Sequence, residues 1–191
     1  MSAAERVHRA MTEVPRVRFL PKGQRFFAGV DAPLPIGHGQ TSSQPSTVHT
    51  MLELLDVQEG DRVLDVGSGS GWTTALLANL TGPTGNVVGV ERVPALVELG
   101  TANVDAAGMP WAHVVRATPG VLGAPDRGPF DRILVSAEPD ELPQELLDQL
   151  GAGGVMVIPV GGRLLRVHST PEGPDVRETG FYRFVPLVSD G

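Results

Sequence analysis

The stretch Arg62-Val63-Leu64-Asp65-Val66-Gly67-Ser68-Gly69-Ser70-Gly71-Trp72 decides the fold of this chain. Residues Arg62–Val66 are mostly apolar and predict a buried strand, and a helix is predicted over 72–80. Between them, glycine at every second position permits a tight turn and lets a ligand lie against bare backbone. The first turn of the following helix presents free N–H groups and the positive end of its dipole. The stretch therefore predicts a strand–loop–helix unit that binds a ligand.

The residues in and around this loop narrow the choice of ligand. A dinucleotide fingerprint would need a third glycine where Trp72 stands, and no Gly-Lys-Ser/Thr phosphate motif follows. Asp65 is an acceptor suited to a cationic group such as the methionine ammonium. The next predicted strand ends in Glu91, where a carboxylate can bind both hydroxyls of a ribose. Either feature alone has a structural explanation, but together they predict a nucleoside cofactor, and S-adenosylmethionine fits best.

The rest of the body alternates strands and helices. Beyond Arg62–Val66 and the helix 72–80, strands are predicted over 86–91, 113–117, 132–136 and 155–160, and helices over 45–55, from Pro94 to about Gly108, and over 141–150. Two last strands, 164–168 and 181–188, are joined by a polar Pro/Gly turn without a helix. This order predicts an α/β protein with a Rossmann-like, doubly wound, mostly parallel sheet and one antiparallel strand near its edge.

The first 44 residues differ from this body. Ser2 and Glu5 form a capping-box pattern, and an apolar stripe predicts a helix that ends before Pro15. From Pro15 to Pro45 the chain is rich in proline and glycine and shows no sustained periodicity. So long an irregular segment in a compact domain usually has a function. We expect one domain over 1–191, with residues 1–44 as a lid and substrate-binding segment and 45–191 as the Rossmann-like body.

Composition excludes several classes of protein. The 191 residues include no cysteine, which excludes disulfides, thiol catalysis and cysteine-based zinc sites and fits a reducing cytoplasm. No apolar run approaches the roughly 18 residues of a membrane helix. A net charge of −7 argues against a nucleic-acid partner. We therefore expect a soluble, cytoplasmic protein without a membrane or nucleic-acid partner.

Several motifs resemble those of one known family. The most specific is Leu34-Pro35-Ile36-Gly37-His38-Gly39-Gln40-Thr41-Ser42-Ser43, and others are Val14-Pro15-Arg16-Val17-Arg18-Phe19-Leu20-Pro21, the glycine loop, Val90-Glu91-Arg92, Pro129-Phe130-Asp131 and Ile158-Pro159-Val160-Gly161. Through these segments nearly the whole chain resembles the protein-L-isoaspartate O-methyltransferase family. The resemblance implies methyl transfer from S-adenosylmethionine to the free α-carboxylate of an isoaspartyl residue. The ester then closes to a succinimide, which reopens partly as normal aspartate.

The resemblance also implies roles for particular residues. Ser43 would be catalytic, with a hydrogen bond to the substrate carboxylate or the cofactor. The residues implied to contact the substrate are Ile36, Gln40, Thr41 and Ser42. Those implied to bind the cofactor are Asp65, Gly67, Ser68, Gly69, Gly71, Glu91, Arg92 and Thr118. No metal is expected, the partners would be peptides and proteins that bear isoaspartate, and the enzyme would be a monomer.

Alternatives stay open at three single residues. Ser43 lies two residues before Pro45 and is a good candidate for the cap of the helix that starts there. His38 fits an exposed lid residue, and Trp72 fits either packing on the sheet or stacking on adenine.

Three departures from the family pattern leave the acceptor open. Pro119 stands where the family has an aspartate for the adenine amino group, Ser42 replaces an isoleucine, and Glu138 places a carboxylate near the expected path of the substrate, unless it points to solvent. The alternatives are an O-methyltransferase of the same lineage with another carboxylate acceptor, a cofactor-binding regulatory protein and an RNA-modifying enzyme.

Overall fold

The computed structural model describes residues 1–187. In chain order the elements of this part are α1 (Ala3–Glu13), two 3-10 helices (Arg16–Phe19 and Lys22–Phe27), β1 (Leu34–Gly37), β2 (Gln40–Ser42), α2 (Pro45–Leu55), β3 (Arg62–Val66), α3 (Trp72–Thr81), β4 (Asn86–Glu91), α4 (Pro94–Ala106), β5 (Ala112–Arg116), a 3-10 helix (Pro125–Arg127), β6 (Phe130–Val135), α5 (Gln144–Leu147), β7 (Leu150–Val160), β8 (Arg163–Thr170) and β9 (Gly173–Phe181).

The central sheet has the strand order β5-β4-β3-β6-β7-β8-β9. Strands β3 to β7 pair in parallel, and β8 runs antiparallel to both of its neighbours. The predicted sheet with one antiparallel strand near its edge is thereby confirmed. From β3 the chain moves outward through β4 to β5 and then returns to β6 on the other side of β3. Ligands of such sheets bind at this reversal, outside the carboxyl ends of the strands.

Both faces of the sheet are covered, as its continuously apolar strands require. Val63 of β3 packs into the core that α1, α2 and α3 share, whereas the next residue, Leu64, packs into the core around Leu146 of α5. Neither valine nor leucine is exposed to solvent there. Burial on both faces holds the carboxyl end of β3, and the loop that follows it, in a fixed place.

Two predicted elements are wrong in extent. The helix expected over 141–150 is only Gln144–Leu147, because Pro143 precedes it and Leu150 already pairs with Phe130 in the sheet. The segment expected to be a turn between 168 and 181 instead completes β8 and forms β9. Its polar composition belongs to an edge strand, where charged residues and proline are tolerated.

The expected last strand, 181–188, is also wrong. Phe181 ends β9, and residues 182–187 lie outside the sheet apart from a bridge between Pro186 and Glu138. Val188 lies outside the described residues.

The first 44 residues combine the expected helix with more order than their composition predicted. The capping box of Ser2 and Glu5 is present, and Val7 and Ala10 of α1 are buried. The stretch after it contains two 3-10 helices and the β1–β2 hairpin. The hairpin turns at Gly37, His38 and Gly39, all with positive φ, and His38 is exposed there as expected. Among residues 1–187, no helix is long and apolar enough to cross a membrane.

Candidate cofactor and substrate site

A cavity of about 860 Å³ lies at the carboxyl ends of the central parallel strands. Pockets of this size hold nucleosides and comparable small molecules. Its walls come from the glycine loop, the ends of β4 and β5, the loop 117–123, the β1–β2 hairpin and residues 185–187. The cavity therefore lies where the reversal of strand order predicts a ligand.

Most of the residues predicted for the site meet in this cavity. Those that line it are Ile36, Gln40, Thr41, Ser42, Ser43, Gly67, Ser68, Gly69, Glu91, Arg92 and Thr118. Asp65 and Gly71 do not line it: they lie behind the loop and shape it. No group of three or more His, Asp or Glu side chains within 1–187 is arranged to hold a metal ion.

The glycine loop is pressed against the backbone of α4. Gly67, Gly69 and Gly71 all have positive φ. A Cβ added to Gly71 would lie 2.9 Å from the carbonyl oxygen of Gly100, and one added to Gly100 would lie 2.9 Å from that of Gly69. Close approach therefore requires glycine at both positions, and at position 71 the positive φ requires it as well.

Glu91 joins this loop to the end of β4. Its carboxylate accepts hydrogen bonds from the backbone N–H of Gly69 (3.0 Å) and of Val93 (2.9 Å). The side chain is 7% exposed and lines the cavity. Each carboxylate oxygen has two lone pairs, so one on each stays available for a hydroxyl of a bound ribose.

Asp65 is fully buried beneath the loop. One oxygen, Oδ2, accepts from the hydroxyls of Thr73 and Thr74, both at 2.7 Å. The other, Oδ1, has no hydrogen-bond partner among residues 1–187, and neither has the hydroxyl of Ser68. Burial raises the pKa of Asp65 to about 6, with a further upward contribution from the charge of Glu91, against the two threonine hydroxyls. An unpaired buried oxygen of this kind fits a site completed by a donor such as an ammonium group.

The raised pKa makes a prediction for stability. Because the pKa of Asp65 is about 6 in the folded protein against 3.8 for an ordinary aspartate, the native state binds the proton more tightly. The stabilisation is full below about pH 4 and is lost as pH rises through about 6. Relative to wild type, Asp65→Asn should therefore gain about 2 kcal/mol in unfolding free energy between pH 4 and pH 7. Urea unfolding of both proteins across this range measures the difference. Asp105→Asn, an exposed site on α4, should show no such trend, and parallel curves for Asp65→Asn and wild type would contradict the prediction.

Arg16 holds the wall of the cavity that the β1–β2 hairpin forms. This role of Arg16 was not predicted from the sequence. Its guanidinium donates to the hydroxyl and carbonyl oxygens of Ser42 at 3.1 and 2.8 Å. It also donates to the carbonyl oxygens of Val30 (3.3 Å) and Ala32 (3.0 Å). The guanidinium lies 5.6 Å from the ring centroid of Trp72 and is 4% exposed. Burial lowers the pKa of Arg16, whereas the charge of Asp31 raises it. The sequence feature that could have pointed to Arg16 is its place in the family motif that begins Val14-Pro15-Arg16.

Ser43, the residue after Ser42, does not cap α2. The N-cap residue is Gln44, which makes no capping bond with its side chain. Asp31 instead accepts hydrogen bonds from the N–H and the hydroxyl of Ser46, both at 2.8 Å. The Ser43 hydroxyl makes no hydrogen bond with the described part of the chain and lines the cavity. The capping interpretation is therefore wrong, and this hydroxyl remains available to a ligand.

Two further residues settle questions left by the sequence. Trp72 is 4% exposed and donates from Nε1 to the carbonyl oxygen of Val14 at 3.0 Å, so it packs on the sheet, although one edge reaches the cavity. Glu138 accepts a hydrogen bond from the N–H of Gly162 and does not line the cavity. It is partly buried and does not face an incoming carboxylate.

Gln149 organises the side of the cavity where the family aspartate is missing. Its Oε1 accepts from the N–H of Ala124, and its Nε2 donates to the carbonyl oxygens of Leu122 and Glu145, each at 2.8 Å. It is 5% exposed and lines the cavity. Pro119 does not line the cavity, whereas Thr118 does. No feature of the sequence singled out Gln149, since it fell inside a predicted helix.

The doubly wound sheet, the glycine loop and the carboxylate of Glu91 together define an S-adenosylmethionine-dependent methyltransferase of the Rossmann-like class. The model of the family described as protein-L-isoaspartate(D-aspartate) O-methyltransferase matches residues 1–190. The chain belongs to this family.

Relatives and solved structures agree with this assignment. The chain is 43% identical to protein-L-isoaspartate O-methyltransferase 1 of Archaeoglobus fulgidus, over 98% of this chain and 87% of the relative. It is 44% identical to the enzyme of that name from Methanopyrus kandleri, over 98% and 85%. A solved protein-L-isoaspartate O-methyltransferase superposes with a TM-score of 0.89 at 27% identity, over 98% of this chain and 62% of that longer chain. A putative family member from Plasmodium falciparum, solved with S-adenosyl-L-homocysteine, gives 0.80 at 26% identity, over 96% and 90%.

Proposed function

We propose that this chain methylates the free carboxylate of L-isoaspartyl residues in damaged peptides and proteins, with S-adenosylmethionine as the methyl donor. The observation that carries the proposal is the position of Ser43. Its unpaired hydroxyl lines the same cavity as the glycine loop and Glu91, at the end of the hairpin motif that is specific to the family. One site thus holds both a cofactor-binding wall and a wall suited to a carboxylate.

The cofactor wall fits the proposed ligand in charge and shape. Glu91 would accept from the ribose hydroxyls, and the loop backbone at Gly67 and Gly69 would lie along the methionine part. Ser68 lines the cavity, and its unpaired hydroxyl would offer the ligand a hydrogen-bonding group, whereas the unpaired Oδ1 of Asp65, behind the loop, would meet the ligand only through a bound water. Arg92 and Thr118 would border the nucleoside, and the loop fixed by Gln149 would enclose the adenine.

The acceptor wall needs no strong base. Bound S-adenosylmethionine supplies a methyl group on a positively charged sulfur, and a carboxylate is already ionised at neutral pH. The oxygen–methyl bond forms as the sulfur–methyl bond breaks, without removal of a proton. Ser43 would orient the carboxylate by donating a hydrogen bond, and Ile36, Gln40, Thr41 and Ser42 would hold the residue and exclude water.

The alternative acceptors lose part of their support. Glu138 accepts a hydrogen bond from Gly162 and does not line the cavity, and the hydroxyl of Ser42 is engaged by Arg16, so neither departure offers the substrate a free carboxylate or hydroxyl. We further infer a monomer that acts on polypeptides in the cytoplasm and not on nucleic acid. The charge of −7 supports the exclusion of nucleic acid, the lack of cysteine fits a reducing cytoplasm, and the monomer is inferred from the family resemblance alone.

The test is methylation of a matched pair of peptides. The purified protein is incubated with radiolabelled S-adenosylmethionine and one peptide made in isoaspartyl and in aspartyl form. Base-labile label should enter the isoaspartyl form alone, because only that form presents the expected carboxylate. Label in neither peptide, with S-adenosylhomocysteine binding confirmed by calorimetry, would overturn the proposed acceptor and leave the cofactor assignment standing.

A further inference from the structure

The segment from Pro15 to Val30 carries a charge opposite to that of the whole protein. It contains Arg16, Arg18, Lys22 and Arg25 and no acidic residue, in a chain of net charge −7. Arg16 is used internally, but Arg18, Lys22 and Arg25 are exposed. None of these three forms an ion pair within residues 1–187. The segment is therefore a local cationic surface on an acidic protein.

The same segment exposes large apolar side chains. Phe26 is 92% exposed, Phe27 46% and Val30 48%. The two phenylalanine rings pack edge to face with their centroids 5.4 Å apart. Apolar groups clustered in this way mark interaction sites on soluble proteins. We call the exposed residues Arg18, Lys22, Arg25, Phe26, Phe27 and Val30 the leader patch.

The leader patch adjoins the acceptor wall of the cavity. The 3-10 helix Lys22–Phe27 contacts β1, the strand that carries Ile36. The carbonyl oxygen of Val30 and the backbone of Ser42 are held by the same guanidinium, that of Arg16. A polypeptide that inserts one side chain beside Ser43 must run across the surface around this wall.

We propose that the leader patch binds the polypeptide that flanks the methylated residue and favours extended segments with acidic and apolar side chains. This inference rests on the proposed function. The exposed cations attract flanking carboxylates and the phenylalanine rings cover apolar side chains, so specificity beyond the reacting residue comes from charge complementarity and apolar contact.

The test compares peptides and variants by two readouts. A short isoaspartyl tripeptide reports the cavity alone, and longer isoaspartyl peptides with acidic or with lysine-rich flanks report the patch. For each long peptide, kcat/KM is divided by kcat/KM of the tripeptide. In wild type at low salt, this ratio should be about tenfold higher for the peptide with acidic flanks than for the peptide with lysine-rich flanks. Added salt should shrink this preference. Phe26→Ser and the double variant Arg18→Glu/Lys22→Glu should each lower the ratio for the peptide with acidic flanks several-fold, mainly because KM for that peptide rises.

Matched controls lie on the far edge strand β9. Val176→Ser and Arg177→Glu make the same kinds of change at exposed positions and should keep the wild-type ratios. Fluorescence anisotropy of the labelled acidic peptide, with S-adenosylhomocysteine present, measures binding without turnover. Binding that depends on the patch without any methylation would refute the proposed function and support the patch. Methylation with ratios unchanged in the patch variants, or no binding of the long peptide, would overturn the patch.

Discussion

Arg16→Ala is expected to lower kcat about 100-fold and the free energy of unfolding by about 3 kcal/mol. The stability loss arises because the carbonyl oxygens of Val30, Ala32 and Ser42 lose their donor. The loss in kcat arises because Ser43 follows Ser42 directly and shifts with it. Urea unfolding and single-turnover methylation of an isoaspartyl tripeptide, at a temperature where the variant is folded by circular dichroism, measure the two effects. Arg9→Ala, an exposed arginine on α1, should change neither.

A double-mutant cycle separates positioning from general damage. If Arg16 acts through the Ser43 hydroxyl, Arg16→Ala should cost much less activity in a Ser43→Ala background than in wild type. Arg16→Lys keeps the charge but loses the fork that reaches several carbonyl oxygens, so it should recover stability only in part. Losses in kcat that simply multiply in the double variant would show that Arg16 supports the fold and does not position Ser43.

Glu91→Ala is expected to weaken the binding of S-adenosylhomocysteine at least about 100-fold. Two charge-assisted hydrogen bonds to the ribose hydroxyls would be lost, at about 1.5–3 kcal/mol each. The same change frees the N–H groups of Gly69 and Val93, so the loop itself loses an anchor. Titration calorimetry measures the affinity. Removal of this charge should also lower the pKa of Asp65, which it now helps to raise.

Two variants sharpen this second prediction. Glu98→Ala removes an exposed carboxylate from α4 and should leave the affinity as in wild type. Glu91→Gln keeps one acceptor oxygen but turns the other into a donor that faces a backbone N–H. Its affinity for S-adenosylhomocysteine should therefore fall between those of wild type and Glu91→Ala. Wild-type affinity in Glu91→Ala would show that the ribose hydroxyls find their partners elsewhere in the cavity.

The sequence predicted the sheet well because its signals are local. The apolar strand Arg62–Val66, the glycines after it and the proline at the start of α4 each report the conformation of their own neighbourhood. The helix over 141–150 was overextended because pairing of Leu150 with the distant Phe130 overrides local helix propensity. β9 was missed because it is the edge strand of the sheet within residues 1–187 and its composition resembles that of a turn.

The site was predicted in its parts but not in its connections. Motif and spacing predicted Glu91, Ser43 and the loop glycines as site residues, and Glu91, Ser43, Gly67 and Gly69 line one cavity. The bonds of Arg16 to Ser42 and of Gln149 to Leu122 join residues about 26 positions apart, and no periodicity reports contacts at such separations. The start of α2 is a further example. Ser43 was the capping candidate because it is near in sequence, but the distant Asp31 accepts the hydrogen bond from the N–H of Ser46.

The contact between Gly71 and Gly100 also decides which parts of the cavity can change. Any side chain at either position would meet backbone at 2.9 Å, and backbone cannot give way as a side chain does. A single substitution cannot widen this wall, and a second one cannot compensate for the first. In the loop 117–123, which forms another wall of the cavity, Thr118 and Val121 are exposed and have no such constraint. A library designed to admit bulkier cofactor analogues should vary Thr118 and Val121 and keep both the glycine loop and Gly123, where an added Cβ would clash with the side chain of Gln149.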